Sequence, residues 1–129
     1  MKKAISSIHA PRSTDIYSQA IESNGFVFVS GQIHMTTEGV VVEASVEGKL
    51  EQIMDNITAI LKEAGLKLDD IVKVTVYLTN IDNAKEFNAA YGRYFVQPLP
   101  ARELVCVQAL PRGATIELSV IAARSTKSE

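Results

Sequence analysis

The sequence predicts a single α+β domain in which two helices cover one face of a sheet. Three observations predict it. One long and one shorter amphipathic helix stand between segments rich in β-branched and aromatic residues. Those segments alternate apolar and polar positions at the period of a strand. The chain has 129 residues, of which 47% are hydrophobic and 22% charged, a balance that fits one core and leaves no room for a second domain. The domain is expected over 1–129, with a polar tail at 126–129.

The long helix is predicted over 45–64. Leu50, Ile53, Met54, Ile57, Ile60 and Leu61 make one apolar stripe, Ser45 suits the N-cap, and Gly65 suits a left-handed stop. The second helix is predicted over 84–95, capped by Asp82 or Asn83, with Phe87, Tyr91, Tyr94 and Phe95 on its buried side. Pro98 and Pro100 prevent its continuation. Strands are expected over 26–30, 71–78, 104–107 and 115–123. Asn24-Gly25 marks a hairpin turn after a segment at 17–23. Leu110-Pro111-Arg112-Gly113 joins the last two strands.

Alternation assigns Val72, Val74, Val76 and Leu78, with Ile116, Leu118, Val120 and Ala122, to the helix-covered face. The opposite face then carries Ile71, Thr75, Tyr77, Leu104, Cys106, Ser119 and Ile121. It is too apolar for water, and no helix remains to cover it. Association with other copies of the chain as a closed oligomer is the economical answer. By the same parity Arg102 and Glu117 fall on this second face, where charge needs partners. Two readings are open from the residues alone: an ion pair between subunits, or a polar interface site where Arg102 receives an anion.

Several function classes are disfavoured. The net charge is −2 and the cations are scattered, so nucleic acid is not an expected partner. No run reaches the roughly 18 apolar residues of a membrane span, and Met1 to Ile8 lacks a signal-peptide core. Cytoplasm is the expected compartment. The single Cys106 forms no internal disulfide; without a paired base it reads as a packing residue. His9 and His34 lack ligand-spaced company, so no metal is expected, and a surface or loop role suits His34. Asp69-Asp70 reads as a polar turn before a strand. Gly31, Gly39 and Gly48 do not make a phosphate loop.

An ordered set of fragments resembles the reactive intermediate deaminase family, of the RidA/YjgF type. They are Tyr17-Ser18-Gln19-Ala20-Ile21, Ser30-Gly31-Gln32-Ile33, Asp55-Asn56-Ile57, Ala64-Gly65-Leu66, Asn88 with Tyr91, Pro100-Ala101-Arg102, Leu110-Pro111 and Ile116-Glu117. The resemblance implies a chorismate-mutase-like fold with a mixed sheet and two helices on one face. It also implies a homotrimer with a central barrel and sites in the clefts between subunits. The implied reaction is hydrolysis of 2-imino or 2-enamine acids, such as 2-iminobutanoate and 2-iminopropanoate, to 2-oxo acids and ammonia, with no cofactor. Arg102 would hold the substrate carboxylate and Glu117 would position or activate water. Tyr17 would pack against substrate, Ser30 and Asn88 would line or support the pocket, and Leu104 would shape it.

Three positions depart from the family pattern. Glu103 follows Arg102 where Ser is frequent, Leu104 stands where Cys is frequent, and Asp15-Ile16 precedes Tyr17 in place of Gly-Pro. Two alternatives to imine hydrolysis are a non-catalytic module binding small carboxylates or a protein, and a ribonuclease or translation-inhibitor activity. The acidic balance weighs against the latter.

Overall fold

A computed structural model describes residues 1–125; the polar tail expected at 126–129 lies outside the described residues. Six strands form one sheet: β1 (Lys3–Ile5), β2 (Ala20–Ser23), β3 (Phe26–Ile33), β4 (Ile71–Leu78), β5 (Ala101–Cys106) and β6 (Ile116–Ala123). Their spatial order is β1-β2-β3-β6-β4-β5. Among the described strands only the β4–β5 pair is parallel, and the helix α2 (Ala84–Tyr91) lies in its crossover. The helix α1 (Val46–Glu63) links β3 to β4. The sheet is therefore mixed, with both helices on one face.

Each helix follows from its sequence. Ser45 Oγ accepts from the Gly48 amide at 3.1 Å and caps α1. At the other end Gly65 has φ +76, and the amides of Gly65 and Leu66 close on the carbonyls of Lys62 and Leu61, the bonds of a Schellman stop. The six stripe residues of α1 are all buried against the sheet. The second helix ends sooner than expected, at Tyr91, and continues as a 3-10 turn over Gly92–Tyr94. Neither Asp82 nor Asn83 caps it with a side chain. Asn80 instead accepts from the Asp82 amide at 2.9 Å and caps the 3-10 turn that leads in.

The hairpin turn forms at Asn24-Gly25, both with positive φ. The segment before it is shorter as a strand than expected, and β1 pairs outside it. Three residues of β1 carry too little alternation to be read from sequence. β3 runs on to Ile33 through a bulge: Val29 pairs with Val120 and Gln32 with Leu118, so Ser30 and Gly31 face one residue, Ser119.

A second irregularity corrects the face assignment in β4. Register shifts between Ile71 and Lys73, which turns Ile71 into the core and Val72 outward. From Val74 to Leu78, and throughout β6, the alternation holds. The uncovered face carries Phe26 and Phe28, 43% and 45% exposed, with Ile21, Ile121, Tyr77 and Val105 beside them. An apolar surface of this breadth on a sheet is what a protein partner would cover.

His34 is buried, not on the surface. Its Nδ1 donates to the Val42 carbonyl at 2.8 Å, and its Nε2 accepts from the Thr115 amide at 3.0 Å. It thereby ties the loop of residues 34–42 to the start of β6. Burial pushes its pKa below the usual histidine value, so the ring is neutral in the fold. Protons bind the unfolded chain more readily, so this stability is present above the unfolded pKa of 6.5 and is lost as pH falls through the lowered folded value. Thermal melts should therefore show stability falling on acidification from neutral. His34→Ala should cost about 2 kcal/mol at pH 7.5 by orphaning two partly buried backbone groups, and its melts should depend less on pH in this range.

Candidate active site

Glu117 points to the open face from β6, where it pairs in register with Tyr77. It lines a cavity of about 310 Å³ together with Tyr17, Ser30, Gly31, Arg12 and Arg112. The carboxylate is half-buried, and neither arginine forms an ion pair with it. Burial without a compensating charge raises its pKa above the usual carboxylate value. Such a group keeps its proton to a higher pH than a free carboxylate and is a better base once ionised.

Gly31 is what lets the carboxylate stand there. A Cβ at this position would fall 1.9 Å from Glu117 Oε2, well inside any tolerable contact. The bulge of β3 presents this side-chain-free backbone directly beneath the acid. Ser30 is fixed on both sides: its amide donates to the Gln19 carbonyl at 2.9 Å, and its Oγ donates to the Ser18 carbonyl at 2.7 Å. The hydroxyl is thus committed to holding the loop that carries Tyr17, which is itself 50% exposed.

Two buried amides support this pocket. Gln19 Nε2 donates to the carbonyls of Ser7 and Pro11, while its Oε1 accepts from the Ser7 amide at 2.7 Å. Asn56 reaches from α1 to donate to the Met35 carbonyl at 3.0 Å, just beyond the end of β3. Both lie within fragments that carry the family resemblance, yet nothing in their local sequence announces a supporting role. Arg12 and Arg112 line the same cavity, though no sequence pattern marks either. Arg112 has φ +60 in the turn before β6 and donates to the Gly39 carbonyl at 2.9 Å, geometry that only the folded loops define.

Arg102 lies elsewhere. In the parallel pairing it stands opposite Val74, Leu104 opposite Val76 and Cys106 opposite Leu78. Directly paired residues share a face, so all three belong to the helix side of the sheet, not to the open face with Glu117. The parity assignment fails because numbering fixes alternation within a strand but not between strands, and β5 is too exposed to show a buried face of its own. Leu104 packs against the core from this side. Cys106 is exposed at the end of the edge strand rather than packed.

The guanidinium is held from α2. Arg102 Nη1 donates to Asn88 Oδ1 at 2.8 Å, and its Cζ lies 4.9 Å from the centre of the Tyr91 ring. Glu103, the unusual neighbour, points to the open face and pairs with Lys73 at 3.2 Å, so it does not neutralise Arg102. Among the described residues Arg102 has no acidic partner. Of the six expected site residues, one chain therefore gathers Tyr17, Ser30 and Glu117 in one cavity, and Asn88, Arg102 and Leu104 on the other side of the sheet.

Among the described residues no group of three His, Cys, Asp or Glu side chains is placed to hold a metal ion. No described helix is long and apolar enough to cross a membrane.

Replacing Gly31 tests the close approach beneath the acid. Gly31→Ala should displace the Glu117 carboxylate or disorder the bulge, which crystallography of the variant would reveal. A wild-type Glu117 position in that variant would contradict the steric account.

A sequence model of the Endoribonuclease L-PSP family matches residues 7–124. A RutC family protein of Aquifex aeolicus is 48% identical over 118 residues, covering 89% of this chain and 94% of the relative. The chloroplastic Reactive Intermediate Deaminase A of Arabidopsis thaliana is 40% identical over 122 residues, covering 94% of this chain and 65% of the relative. Among solved structures, E. coli TdcF with bound serine superposes with a TM-score of 0.88 at 30% identity, covering 95% of this chain and 99% of that one. Fold, motif order and overall similarity agree, and the chain belongs to the Endoribonuclease L-PSP family, the RidA/YjgF family that its sequence resembles.

Proposed function

We propose that this chain hydrolyses 2-imino acids, and their 2-enamine tautomers, to 2-oxo acids and ammonia at clefts between the subunits of a homotrimer. One observation carries the reading. A half-buried carboxylate sits in a cavity on one face of the sheet and an arginine is held on the other, neither with a charge partner among the described residues. These are complementary halves of one site, and only a second subunit brings them together. The uncovered apolar face supplies the contact, and the sheets of three subunits would close a central barrel around it.

In the assembled cleft Arg102 grips the substrate carboxylate through paired, charge-assisted hydrogen bonds. Asn88 holds the guanidinium for this, while Leu104 and Tyr17 bound the space around the substrate side chain. The protonated imine is electrophilic at carbon before any catalyst acts, so placing water over that carbon supplies much of what is needed. Glu117 accepts a proton as the water oxygen bonds to carbon and the C=N π pair moves to nitrogen. The carbinolamine takes that proton from Glu117 on nitrogen, the C–N bond breaks with its electron pair leaving on ammonia, and Glu117 takes the hydroxyl proton as the C=O forms. Water is consumed and no redox partner is needed.

A deaminase among the relatives and a serine-bound structure in the family support a small carboxylate as ligand. The acidic balance favours this reading over nucleic acid, and the cytoplasm is the proposed compartment.

The test couples purified protein to a dehydratase that generates imines. Release of 2-oxo acid and ammonia should accelerate; Arg102→Ala and Glu117→Gln should each reduce that gain by about 10²-fold or more while the oligomer survives on size exclusion. Arg102-dependent binding without turnover would instead indicate a carboxylate-binding module. Activity should rise with pH as Glu117 loses its proton, with the midpoint above the usual carboxylate value. A raised folded pKa also means that ionising Glu117 costs stability as pH rises through it. Glu117→Gln should therefore melt no lower than wild type at pH 7.5.

A further inference from the structure

We propose that Tyr91 is a positioning residue for Arg102: its ring is the platform that fixes the plane of the guanidinium, so the substrate carboxylate is met edge-on. The inference rests on Arg102 being the carboxylate anchor of the proposed function.

Tyr91 and Asn88 are three residues apart on α2 and so lie on one side of the helix. Arg102 is engaged by both, through Nη1 to Asn88 Oδ1 at 2.8 Å and through Cζ at 4.9 Å from the ring centre. One contact fixes an edge of the guanidinium and the other covers a face. A planar group restrained in both ways retains a free edge of N–H donors, the geometry a carboxylate fits bidentately. The platform is itself rigid. The Tyr91 ring is packed between Phe87, at 5.6 Å between centroids, and Phe95, at 4.8 Å.

The hydroxyl of Tyr91 is buried and has no hydrogen-bond partner among the described residues. An unmatched hydroxyl opposes folding, so packing alone would favour Phe here. What Arg102 uses is the negative face of the ring, which Phe also offers. Without an aromatic ring the long arginine side chain regains rotamers that substrate must then freeze.

The test measures binding of 2-oxobutanoate, an unreactive carboxylate, beside KM and kcat with an imine substrate. Tyr91→Leu should weaken binding and raise KM about fivefold, in the range of a cation–π contact, with kcat within about twofold. Tyr91→Phe should restore both affinity and KM to within about twofold of wild type. Fluorinated phenylalanines at position 91 keep the shape while draining charge from the ring face, and affinity should fall with each added fluorine. This series decides the matter if the leucine variant does not fold. Wild-type affinity throughout the fluorinated series, or equal loss of kcat in Phe and Leu variants, would overturn the positioning role alone. A wild-type protein that binds no 2-oxo acid would overturn the anchor reading beneath it.

Discussion

The Glu117 carboxylate rests where the Cβ of any residue but glycine would stand at position 31, and this contact depends on several parts of the fold. It needs the bulge in β3, which sets Ser30 and Gly31 against a single residue of β6. The bulge in turn is braced by Ser30, which binds the Ser18 and Gln19 carbonyls, and by Asn56, which reaches the backbone just past Ile33. His34 then ties the following loop to Thr115, two residues before the acid. A chain of backbone-directed hydrogen bonds thus holds an acid, unpaired among the described residues, in a partly desolvated cavity, where its pKa rises.

The helices set the second constraint. Both lie on one face, so the other face is left with Phe26, Phe28, Ile121 and their neighbours uncovered, and Glu117 emerges among them. Arg102 is on the helix side of the edge strand β5, two strands from β6, held by Asn88 and Tyr91. A sheet separates the two groups, so a flexible loop in one chain cannot bring them together. In the proposed trimer, association therefore completes the chemistry and also covers the apolar face.

Much of this was legible in the sequence, for physical reasons that differ by element. α1 announces itself because a long stripe, a serine cap and a positive-φ glycine stop all agree. β6 is legible because it is central, so its alternation is set by a core on one side. β5 is an edge strand whose residues are mostly exposed, and its face is decided by register with β4, which no local pattern encodes. That is why alternation puts Arg102 on the wrong side; the interface anion site drawn from that face falls with it, and the candidacy of Arg102 as a binding residue then rests on the family motif alone. The Ile71–Val72 exchange has a similar origin, since a one-residue bulge inverts parity without changing composition. His34 could not be placed by spacing, because its two partners lie 8 and 81 residues away.

The composite site is the claim on which the account stands, and subunit mixing tests it directly. Arg102→Ala and Glu117→Gln proteins, each inactive alone, would be unfolded together and reassembled in equal amounts. If each cleft draws its arginine from one subunit and its acid from the next, random assembly pairs two intact groups in about one cleft in four, and about a quarter of the wild-type imine hydrolysis should return. No recovery in mixed oligomers that demonstrably contain both variants would contradict a site shared between subunits.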